Sequence, residues 1–141
     1  MKQNVLWTLS SVLSVLFFSL HVADDIIRGF EKGGLWNLSA VLTFATWLYG
    51  TLVLAERRSG YVIVLLGSLL GVGAPILHFQ AAGGVAHGEI ARSSGALFFV
   101  WTLLALGVCA VFSFVLSAQG LWKLQRGRSR RAAIMAPPVV G

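Results

Sequence analysis

The stretch VLWTLSSVLSVLFFSLHVADD (residues 5–25) decides the class of this protein: from Val5 to Ala23 it carries no Asp, Glu, Lys or Arg, and it then ends on two adjacent aspartates. At 1.5 Å rise per residue, a helix of that length covers the roughly 30 Å hydrocarbon core of a bilayer. Three further runs repeat the pattern, Leu35 to Ala55, Tyr61 to Phe79 and Ala96 to Leu116. Lipid offers the backbone no hydrogen-bond partner, so each run must be helical. With 57% hydrophobic and 11% charged residues among 141, the chain is too apolar for a soluble domain of its size. The expected fold is all-α: a polytopic integral membrane protein of the cell membrane, a four-transmembrane-helix up-down bundle over residues 1–122, followed by a disordered basic cytoplasmic tail, 123–141. The first run is longer than a signal-peptide core, and His21, Asp24 and Asp25 stand where a small-residue cleavage site would be, so it is read as retained.

Charge orients the bundle. Lys2, Arg57, Arg58, Lys123, Arg126, Arg128, Arg130 and Arg131 fall at one end and Arg28, Lys32 and Arg92 at the other, which places both termini in the cytoplasm. Trp7 and Trp122 then fall near the inner interface and Trp36 and Trp101 near the outer, as belt residues, while Trp47 sits deeper as packing. The net charge of +6 is distributed as membrane flanks and tail, the pattern of contact with the bilayer and its anionic headgroups rather than with nucleic acid. A single cysteine, Cys109, rules out an internal disulfide.

In this topology every histidine and every acid except Glu56 gathers at the outer end. On the first helix Ser10, Ser14, His21 and Asp25 share one narrow stripe, with Asp24 at its edge. Gly67, Gly71, Ala74 and His78 form a small-residue face on the third helix that ends in a histidine at the same depth as His21. Ser39, Thr43, Thr46 and Gly50 repeat the spacing on the second helix, and Thr102, Cys109 and Ser113 form a looser stripe on the fourth. With the stripes turned inward, His21 and His78 converge at the outer mouth, where Pro75 can bend the third helix and open a small cavity.

Histidine with carboxylates three and four residues on can offer one nitrogen and one oxygen to an ion, and a second histidine from another helix adds a further nitrogen. The candidate metal ligands are His21, Asp24, Asp25, His78, His87 and Glu89, the last two in the glycine-rich stretch 80–95. His21 and His78 are also candidate axial ligands for a haem. The plainer alternative is a helix end leaving the membrane, with its acids beside Arg28 or Lys32. For function these residues support a membrane protein with a metal or haem site at its outer face. Competing classes are an accessory subunit of a larger membrane complex or a homo-oligomer, a small transporter, and a lipid-modifying metalloenzyme. Transport is disfavoured because the helix interiors lack an acid.

Overall fold

The structure is a computed structural model and describes residues 2–31, 33–80 and 95–135. It contains four α-helices, α1 (Lys2–Ile27), α2 (Leu38–Leu52), α3 (Arg58–Gln80) and α4 (Ala96–Met135), with a 3₁₀ turn at Leu35–Asn37 before α2 and no strand among the described residues. Their order and number match the expectation. Three of them, α1, α3 and α4, are long and apolar enough to cross a membrane. The second is shorter than expected: its 15 residues span roughly 22 Å, short of a bilayer core unless the 3₁₀ turn is added. Leu35–Asn37 winds separately, and the chain leaves the helix after Leu52 into a turn where Arg57 N donates to the Leu54 carbonyl and Glu56 takes φ 65°. At the other extreme α4 continues well past Leu116 to Met135, so residues 123–135 of the stretch expected to be a disordered tail are helical. Leu, Lys, Gln, Arg and Ala in this stretch propagate a helix well, and no proline intervenes before Pro137.

The helices form a ring. α4 packs along both α1 and α3, and α2 closes the ring against α3 and α1. Interhelical contacts give the directions: Trp7, near the start of α1, donates to Ser117 midway along α4 while His21, near the end of α1, packs on Phe99 at the start of α4, and Ser11 meets Thr51 at the end of α2. Neighbouring helices therefore run antiparallel, and α1 and α3 run parallel and end together.

The interior mixes Trp47, Val64, Phe99, Leu103 and Leu106 with hydroxyl side chains, and the outer surface is rich in leucine. Ser10, Ser11, Ser14, Ser113 and Ser117 are buried between helices, while Leu6, Leu9, Leu13, Leu16 and Leu20 face outward. Thr51 gives its one hydroxyl hydrogen to the Trp47 carbonyl, so Ser11 donates to Thr51 Oγ1 at 2.6 Å and accepts the Trp47 indole N–H at 2.9 Å. Ser11→Ala leaves that buried indole donor without its acceptor and is expected to cost about 1–3 kcal/mol, read as a lower melting temperature of the purified protein.

The stripes on α1 and α3 are inward as expected: Ser10, Ser14, His21, Asp25, Gly67, Gly71 and Ala74 are all buried. On α2 the expectation fails in part, since Ser39 and Thr46 are exposed and the inward residues are Trp47, Gly50 and Thr51. The reason is steric. The Trp47 indole lies over Gly67, where a Cβ would stand 2.4 Å from the ring, and that fit sets the rotation of α2. Trp7 is likewise no belt residue, being 2% exposed with its N–H bonded inside the bundle, whereas Trp101 and Trp122 face outward. The side chain of Trp36 lies outside what is described.

Candidate metal centre

The C-terminus of α1 carries the site. Gly29 adopts φ 74°, a conformation open to glycine, and ends the helix in a Schellman motif, with Phe30 N donating to Asp25 O at 2.9 Å and Gly29 N to Ile26 O at 3.1 Å. This motif holds Asp25 in the last ordered turn. It also sends Phe30 back against Phe99 of α4, ring centroids 6.3 Å apart.

Asp25 is the hub. Its Oδ2 lies 3.5 Å from His21 Nε2, one turn earlier on α1, and 3.4 Å from His78 Nε2 on α3. His21 and His78 stand edge to face with centroids 4.6 Å apart, and Phe99 packs on both. His21 is 1% exposed and Asp25 6%. One ligand atom from each of the three residues can be chosen so that all lie within 4.8 Å of one another. Two ligands bound tetrahedrally at 2.0–2.1 Å stand about 3.3–3.4 Å apart, so both edges through Asp25 already have the span of a zinc-sized centre.

Hydrogen bonding sharpens this. The His78 Nδ1 lies 2.9 Å from the Ala74 carbonyl one turn back, which can only accept, so Nδ1 carries a proton. In the neutral ring Nε2 is then a lone pair facing a carboxylate oxygen, an arrangement that requires a proton or a cation between them. His21 Nδ1, His21 Nε2 and Asp25 Oδ1 are buried without a hydrogen-bond partner. An orphaned buried polar atom costs about 1–3 kcal/mol, so the His21 ring and the Asp25 carboxylate call for a partner.

Beside the cluster lies a cavity of about 260 Å³ whose lining includes all three residues together with Glu31, Asn37 and Ser39. Asn37 occupies the N-cap position of α2 but makes no side-chain capping bond.

Of the other sequence candidates, Asp24 points away. Its carboxylate takes Arg28 Nε at 2.8 Å, while Arg28 Nη2 donates to the Gly95 carbonyl at 3.0 Å and the guanidinium lies over Phe99. Arg28 thus ties the end of α1 to the start of α4. The adjacent aspartates have separate partners, so Asp24→Asn is expected to leave metal stoichiometry unchanged, a result that elemental analysis of the purified variant checks. His87, Glu89 and Lys32 lie outside the described residues. A porphyrin does not fit between His21 and His78. Axial imidazoles flank the macrocycle on opposite faces, whereas these rings touch edge to face and share one carboxylate oxygen.

Phe99 and Asn37 escaped the sequence reading, whereas an acid beside Arg28 was expected and Asp24 is that acid. Only Asn37 had a local signal, an asparagine immediately before an apolar helix, and that signal indicates a cap. No protein-family model, curated protein or solved structure matches this chain, so the chemistry of the site rests on its own geometry.

Proposed function

We propose that this protein is a small integral membrane protein that binds one divalent transition-metal ion, zinc-like in its ligand preference, through His21, Asp25 and His78. The observation that carries the reading is the convergence on Asp25 of the buried, unpartnered His21 imidazole from the same helix and the partly buried His78 imidazole from α3. Two imidazoles and one carboxylate suit zinc and its neighbours, whereas magnesium and calcium require more oxygen. A second reading has a proton in place of the metal, with His78 as an imidazolium paired to Asp25. That pairing satisfies His78 but leaves His21 with a 3.5 Å approach of Nε2 to Asp25 that makes no hydrogen bond and with Nδ1 unpartnered, which is why the metal is preferred.

The outward leucines and inward serines support the bilayer setting, and the basic residues at the opposite end support an outer location for the site. In this setting Lys123, Arg126 and Arg128 on the α4 extension meet anionic headgroups, with Arg126 stacked on Trp122 at 4.3 Å. Assembly with a larger membrane partner stays compatible with the site and is read from co-purification at fixed stoichiometry.

The test is elemental analysis of the protein purified without chelator and after equilibration with zinc. One ion per chain is expected at pH 7.5. Loading should fall as the pH drops below about 6, because imidazoles bind metal only when neutral. Sub-stoichiometric metal after equilibration, together with a His78 imidazolium seen by NMR at neutral pH, establishes the proton-bridged reading instead.

A further inference from the structure

We propose that the metal centre keeps one coordination position open toward the 260 Å³ cavity, and that this position takes a small oxygen-donor ligand, a neutral carbonyl compound or a monocarboxylate, oriented by Asn37. The inference rests on the metal reading above and adds to it what the metal is for.

The ligand count comes first. Among the described residues three side chains bring donors within 4.8 Å of one another; Asp24 is held by Arg28, and Glu31 lines the cavity without being one of the three. Zinc sites closed by four protein ligands are structural, while sites with three keep a place for water or substrate.

The direction of the open position follows from packing. Phe99, fully buried, covers both imidazoles on the α4 side. The cavity lies on the other side, toward α2, and is bounded by all three ligand residues. Among the described residues, the side toward α2 is therefore the one where a cavity reaches all three ligand residues.

The far wall supplies recognition. Asn37 lines the cavity, and its amide is not engaged in capping α2 even though asparagine is among the best capping residues. The preceding 3₁₀ turn puts Asn37 in the αR region, φ −71° and ψ −6°, rather than the β region a capping residue needs. This frees the amide to donate to, or accept from, a molecule in the cavity. Phe18, Val22, Ala40 and Ala74 give the rest of the wall an apolar character suited to a short hydrocarbon portion.

Size and charge narrow the class. At the roughly 30 Å³ that one water occupies in the liquid, the cavity holds about eight or nine waters. It falls just below the range of drug-sized sites. A divalent ion with Asp25 and Glu31 is near neutral in sum, so the site suits an uncharged carbonyl or a single carboxylate and discriminates against a phosphate dianion.

Cobalt(II) provides the test, since its visible bands report coordination number. The full chain in detergent is loaded with cobalt and titrated with acetohydroxamate, and separately with acetate and inorganic phosphate. A saturable band shift with acetohydroxamate and acetate but none with phosphate is expected. Asn37→Ala should weaken the acetohydroxamate response at least tenfold while binding cobalt within twofold of wild type. If one cobalt binds per chain and no probe changes its bands, the position is closed and this proposal is wrong while the metal reading stands. If cobalt does not bind at all, both readings fall. An unchanged response in Asn37→Ala removes the orienting role given to that residue.

Discussion

Asp25→Asn is expected to weaken metal binding by more than about 100-fold, enough to strip the ion during purification. Changes to groups that only support metal ligands already cost 10–100-fold, and Asp25 is the single side chain that both histidines approach. The amide nearly preserves shape, so the loss isolates the charge. The stability cost should depend on metal content. With chelator present the variant should melt below wild type, because the carboxylate that shares a proton with His78 is gone. With zinc at 100 times its dissociation constant the wild type gains about 2.7 kcal/mol more that the variant lacks, and the gap widens. Thermal unfolding with and without metal reads both, and a variant destabilised equally under the two conditions would count against the metal.

Gly60→Ala is expected to be the most damaging single-methyl change in the bundle, at least about 3 kcal/mol and enough to prevent recovery of folded protein. A Cβ there would stand 2.1 Å from the Leu54 carbonyl oxygen and 2.8 Å from that of Gly50, and neither backbone atom can swing aside as a side chain could. The position is where α3 starts against the end of α2, so relief requires the two helices to separate. Gly73→Ala is the matched control: a Cβ at Gly73 meets nothing within 4 Å, and the substitution should be neutral or stabilising by up to about 1 kcal/mol through helix propensity. Yield and melting temperature of the pair in one detergent compare the two directly.

The lengths of α1 and α3, the convergence of His21 with His78 and the inward stripe on α1 were legible because they depend on quantities a sequence states outright. Run length, the 100° step of a helix and the alternation of direction at each turn bring the ends of α1 and α3 to one level. The rotation of α2 was not legible. Its hydroxyl stripe of Ser39, Thr43 and Thr46 looks as good a buried face as any, and only the seat that Gly67 offers the Trp47 indole turns another face inward. Trp7 shows the same limit: a tryptophan near a helix start reads as a belt residue until Ser117, far along the chain, accepts its N–H.

By itself the sequence determined that the chain is a set of apolar helices with His21, Asp24, Asp25 and His78 at matching helix ends, since hydropathy and periodicity are properties of each helix alone. Only the tertiary structure decided which of two neighbouring aspartates belongs to the site. Asp24 and Asp25 differ by one helical step, about 100°, and that rotation sends one to Arg28 and the other to a pair of imidazoles. Which partner waits in each direction depends on how α1, α3 and α4 pack, and packing is a property of the helices together.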